Sequence, residues 1–183
     1  MWKNDSAILR RRLVTALPRL KRFALALTGH EADADDLVQA TVLKALEKAA
    51  RFEERDERAF HAWLFTLARH VWIDEWRRRR ARGLGREEPV EAADTLARTD
   101  GGGAEARLAM REVLEALATL AEDQRAVLVL VAVEGLHYRE AAEVLGVPIG
   151  TIMSRLARAR AKLSERLRAS EDMRTLTARS AGE

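Results

Sequence analysis

A chain of 183 residues with 5% aromatic residues, ten glycines and three prolines allows one ordinary domain or two small ones. Its Ala, Leu, Arg and Glu favour helix, and no run of alternating β-branched residues points to a strand. The absence of cysteine excludes a disulfide framework and a thiolate metal site. The longest apolar run, Ala126 to Val133, is too short for a bilayer, and the charged N-terminus lacks an apolar signal core. The expectation is a cytoplasmic protein. Net charge is +3, unevenly spread. Residues 1–82 carry 18 Lys/Arg against 12 Asp/Glu, residues 83–105 carry 2 against 6, and residues 106–183 carry 12 against 11.

In chain order, apolar residues at Leu9, Leu13, Leu17, Leu20, Ala24 and Leu27 have helical spacing, with a break or bend expected at Pro18. "GHEADADDLVQATVLKALEKAARF" follows, with Asp33, Asp35 and Asp36 at an expected helix start, where carboxylates meet the positive dipole end. Beside His30 the acids could suggest a metal site, but their irregular spacing and the lack of a second nearby histidine favour helix capping. After the polar "EERDER" comes "AFHAWLFTLARHVWIDEWRRRRAR", in which Phe60, Trp63, Leu64, Leu67 and Val71 face a core. Trp72 and Trp76 fall off that stripe and run into Arg77, Arg78, Arg79 and Arg80. Rings that stack on bases beside guanidinium groups that bind phosphate suit nucleic acid. A helix end complementing its dipole accounts for one or two of these arginines, not four.

Residues 83–105, acidic and with three consecutive glycines, have too few large apolar groups to fold alone and read as a flexible linker. Ala106–Leu120 has amphipathic spacing, and Glu122 and Asp123 open a largely apolar helix that Gly135 ends. Tyr138–Leu145 is a short helix, and Gly146 suits a left-handed corner. Ala141 and Ala142 permit a close crossing, and Pro148 suits the entry to the next helix. There residues 149, 152, 156, 159 and 163 form an apolar stripe, opposite Thr151, Ser154, Arg155, Arg158 and Lys162. This is a helix-turn-helix pattern whose second helix suits the major groove, where arginine grips guanine with two hydrogen bonds. Two short helices with a glycine corner also occur in bundles with no such role.

Taken together, "DADDLVQATVLKAL", "FHAWLFTLARHVWIDEWRRRR" and "LAEDQRAVLVLVAVEGLHYREAAEVLGVPIGTIMSRLARARAKL" resemble regions 2.2, 2.3–2.4 and 4 of extracytoplasmic-function (ECF) sigma factors of the sigma-70 family. The resemblance implies an all-α fold of two small helical domains: region 2 over 1–82 and region 4 over 106–170, with the linker 83–105 between them and a tail over 171–183. It implies docking on core RNA polymerase, the β′ clamp helices through Asp33, Asp36, Leu37, Gln39 and Leu43, and the β flap through region 4. It implies promoter contacts at the −10 element from the loop 51–58 and from His70, Trp72, Trp76 and Arg77–Arg80, and at the −35 element from Arg139, Thr151, Ser154, Arg155, Arg158 and Lys162. It also implies an anti-sigma factor as a partner, no cofactor or metal, and no catalysis. His70, Met153 and Ala157 depart from residues common in the family. The alternative is a helix-turn-helix regulator with an N-terminal sensing or interaction domain, which leaves the Trp–Arg cluster without a role. An enzyme is disfavoured, because His30, His61, His70 and His137 are scattered and no phosphate loop or nucleophile–base pair is present.

Overall fold

The computed structural model describes residues 2–48, 56–81 and 115–180, with side chains described over 7–48, 56–75, 77–78 and 115–169. The linker and the greater part of the loop 51–58 lie outside these residues. The fold is all-α. Helices α1 (Trp2–Thr28), α2 (Glu31–Glu47) and α3 (Glu57–Ala81) form one lobe. In the second lobe α4 (Glu122–Leu128) runs into a wide turn, Val129–Val133, followed by α5 (Tyr138–Leu145) and α6 (Ile149–Ser180).

The expected periodicity explains most of the core. Leu9, Leu13, Leu20, Ala24 and Leu27 of α1 are buried with Phe60, Leu64, Leu67 and Val71 of α3. Phe23 and Phe65 meet with ring centroids 5.2 Å apart. Two expectations on α1 change. Pro18 does not break the helix, because it lies on the exposed face, where the carbonyl it leaves unpaired is open to water. Leu17 is partly exposed for the same reason: it borders the solvent side of α1. Gly29, at φ 77°, turns α1 tightly into α2, its N–H bonding Leu25 O at 2.9 Å. The first turn of α2 carries Glu31 and Asp33, while Asp35 and Asp36 fall one turn later.

In the second lobe the corner has the expected form. Gly146 adopts φ 60°, ψ 39°. Its N–H bonds Glu143 O at 3.2 Å and that of Val147 bonds Ala142 O at 3.1 Å, the paired closure of a Schellman motif. Ile152, Leu156 and Ala159 are buried, whereas Ile149, in the first turn of α6, is exposed. The wide turn after α4 closes with Glu134 N–H on Val129 O at 2.9 Å, a five-residue step. That extra residue turns Val133 out to solvent and Glu134 inward. Helix α6 continues to Ser180, through most of the stretch expected as a tail.

The lobes do not stand apart. Helix α4 packs on α1, and α5 on α3, so that one continuous buried cluster spans both lobes. Periodicity within each block gave no sign of this shared core.

Candidate nucleic-acid interface

The corner holds α6 so that its early residues face outward. Ser154 and Arg158 are exposed, Thr151 is half-buried, and Arg139 on α5 is exposed beside them. Ser154 Oγ donates to Thr151 O at 3.1 Å. Two of the expected contacts are engaged within the lobe. Arg155 Nε pairs with Asp123 Oδ2 at 2.9 Å, tying α6 to α4. Lys162 Nζ donates to Thr119 O at 2.6 Å. The outward face of the helix-turn-helix is therefore Arg139, Thr151, Ser154 and Arg158, with exposed Met153 and Ala157 between them.

In the first lobe, α2 presents Asp36, Gln39 and Leu43 on one exposed face, at helical spacing. Leu43 is 63% exposed. Asp33 is half-buried at the edge of this face. Leu37 is a correction. It is 5% exposed and packs in the lobe core, because it falls on the side of α2 that carries the buried Ala34, Thr41 and Ala45.

On α3, His70, Arg77 and Arg78 are exposed. Arg78 bonds Asp74 O at 3.3 Å and Glu75 Oε2 at 3.3 Å, both one turn back. Trp76, Arg79 and Arg80 follow on the same helix, their side chains outside those described. Trp72 is half-buried and donates from Nε1 to Glu122 Oε1 of the other lobe at 3.1 Å.

Sequence reasoning missed the polar network between the lobes. The side chain of Glu134 is fully buried between two arginines of α1, with Oε2 2.6 Å from Arg19 Nε and Oε1 2.8 Å from Arg22 Nε. Arg19 also donates to Glu134 O at 2.9 Å and lies 3.0 Å from His61 Nδ1. Since arginine only donates, His61 Nδ1 is the acceptor and carries no proton. Burial, and then the Arg19 charge, push the His61 pKa down; Arg12 adds to this, and Glu57 and Glu134 oppose it. Arg58 grips Glu140 with both arms of its fork, at 2.7 and 2.8 Å, and reaches Gly135 O at 3.1 Å. Burial alone would raise the Glu140 pKa, but the bond from Arg58, the His137 N–H at 2.6 Å and the Arg58 charge hold it below the usual carboxylate range. Arg69 Nη1 donates to Leu145 O at 2.7 Å, and Arg125 Nε to Ala26 O at 2.8 Å. The one signal available was Glu134 itself, a lone acid ending an apolar run.

Among the described residues, no group of three His, Asp or Glu could hold a metal ion, and no helix is long and apolar enough to cross a membrane. The arrangement is that of a binding protein: a basic helix-turn-helix in one lobe and an exposed acidic–apolar helix face in the other.

Comparison with known proteins identifies the architecture. Residues 13–82 match Sigma-70 region 2 and residues 110–163 match Sigma-70, region 4. The ECF RNA polymerase sigma factor EcfG of Rhodopseudomonas palustris is 39% identical over 158 residues, covering 85% of this chain and 83% of that protein. The RNA polymerase sigma factor CnrH of Cupriavidus metallidurans is 36% identical over 149 residues, 78% of this chain and 77% of the relative. Among solved structures, the sigma factor RpoE in complex with the anti-sigma factor NepR from Bartonella quintana superposes with a TM-score of 0.67 at 32% identity, over 87% of this chain and 96% of that one. CnrH in complex with the cytosolic domain of CnrY gives 0.60 at 29% identity, over 92% and 95%. The chain belongs to the sigma-70 family, in its ECF group. Sigma factors are transcription initiation factors rather than catalysts.

Proposed function

We propose that this protein is a cytoplasmic alternative sigma factor that docks on core RNA polymerase, recognises −35 and −10 promoter elements, and is held inactive by an anti-sigma factor until a signal releases it. The observation that carries the reading is the pairing, in one chain, of an exposed α2 face at Asp36, Gln39 and Leu43 with an outward helix-turn-helix face at Arg139, Thr151, Ser154 and Arg158. The first would hold the β′ clamp, with Asp33 at its margin. The second would read base edges at −35, while Arg155 and Lys162 hold α6 in place. His70, Trp72, Trp76 and Arg77–Arg80 would contact the −10 element and its phosphates, the opened promoter being stabilised by binding energy alone. Of the solved relatives named above, RpoE was captured with the anti-sigma factor NepR and CnrH with the cytosolic domain of CnrY, and the first supports the same class of partner here.

Core enzyme binding tests this directly. The wild-type chain should co-elute with core RNA polymerase in equal stoichiometry, and Leu43→Asp combined with Asp36→Arg should abolish co-elution while leaving the melting temperature unchanged. A regulator with a sensing domain would bind DNA yet ignore core polymerase in both forms.

A further inference from the structure

The exposed residues of α6 between Gly150 and Ala161 are Met153, Ser154, Ala157, Arg158 and Arg160. The neighbouring basic residues are held elsewhere, Arg155 by Asp123 at 2.9 Å and Lys162 by the Thr119 carbonyl at 2.6 Å. Met153 is 52% exposed, although Ile152 before it and Leu156 after it are buried. At Gly150 a Cβ would meet no atom within 4 Å, so the first turn offers bare backbone that a surface can approach closely. Met153 and Ala157 stand four residues apart and so share one side of the helix. Arg158 lies about 140° round the axis from Met153, at about 100° per residue.

This set of side chains narrows what the helix can read. A thioether and a methyl group cannot bind phosphate. In the major groove a base pair shows one apolar group, the C5 methyl of thymine. We propose that Met153 and Ala157 determine −35 specificity by packing against thymine methyl groups, on base pairs other than the one that Arg158 grips. The inference rests on reading α6 as the −35 helix. Four residues of α6 rise about 6 Å, and base pairs follow one another at about 3.4 Å. The two methyl contacts therefore fall one or two base pairs apart. Because the contact is apolar, it separates thymine from cytosine, and equally from uracil, which lacks only the methyl.

Both residues are exposed, so Met153→Gln, which keeps the side-chain length, and Ala157→Ser, which keeps the Cβ, should leave the melting temperature unchanged. Holoenzyme is reconstituted from the full chain and core RNA polymerase, and a promoter duplex randomised across the −35 window supplies the preferred sequence. That duplex is then resynthesised with each thymine of the window, on either strand, replaced in turn by deoxyuridine. Wild-type holoenzyme should lose affinity about 4-fold at one or two of these thymines, the worth of burying one methyl-sized group. Each variant should bind the thymine duplex more weakly and lose nothing further when the methyl it contacts is removed. At the same positions 5-methylcytosine should bind wild type more tightly than cytosine does. The absence of any deoxyuridine loss overturns the proposal, as do losses that persist undiminished in both variants. Weaker assembly of Met153→Gln with core enzyme, with equal losses on every window sequence, overturns it too, since Met153 is then a protein contact. If wild-type holoenzyme is indifferent to the window sequence and Arg158→Ala changes nothing, the −35 reading of α6 fails, and the inference with it.

Discussion

Arg155 and Arg158 lie three residues apart on α6 yet serve different ends. Arg158 is exposed on the outward face, while Arg155 spans to Asp123 of α4. Arg158→Ala is expected to cost about 1–3 kcal/mol on the preferred −35 sequence and to relax selection at one or two positions, measured on a panel of −35 variants. Arg155→Ala should instead cost about 0–1 kcal/mol of stability, because its pair is partly exposed, and should lower affinity evenly across the panel. His61 makes a pH-dependent contribution. Its folded pKa lies below the ordinary 6.5, so the fold favours the neutral ring. Stability from this group is fully present above the unfolded pKa and is lost as pH falls through the folded one. Arg19, Arg12, Glu57 and Glu134 all face the ring, and protonation sets it against Arg19. The melting temperature should fall on acidification from about pH 7.5 to 5.5, and His61→Gln should flatten that slope. Loss of the Glu134 carboxylate in Glu134→Ala should cost about 1–3 kcal/mol, since Arg19 and Arg22 lose a buried acceptor but remain one-third exposed.

At the scale of elements, the helix-turn-helix was legible because its chemistry is local. A left-handed glycine, two small residues and a proline fall within eight positions, and each acts through backbone geometry. The open space around Gly146 means that Gly146→Ala would meet no clash and would be strained by φ alone. It should destabilise the chain by about 1–2 kcal/mol in denaturant unfolding. Helix α2 was legible in kind but not in detail. The motif placed Leu37 on the polymerase face, whereas the turn of the helix carries it to the core beside Ala34 and Ala45. Leu37→Ala is therefore expected to cost about 2–5 kcal/mol of stability, while Leu43→Asp leaves stability alone and weakens core polymerase binding. The wide turn at 129–133 was not legible, since a five-residue step leaves no mark in an apolar run.

At the scale of the whole molecule, each lobe could be read from its own periodicity, but their union could not. Arg19 and Arg22 stand 115 and 112 residues from Glu134, and neither shows in sequence which acid it will meet. The union lays the second lobe on α3, where Arg58, Arg69 and Trp72 donate to it. The central claim, that this chain brings promoter selectivity to core polymerase, is tested most directly by run-off transcription with purified core enzyme on a genomic fragment library. The account predicts transcripts from a limited set of start sites sharing one −35 sequence, with Arg158→Ala broadening that set. Transcription no greater and no more selective than that of core enzyme alone would contradict it.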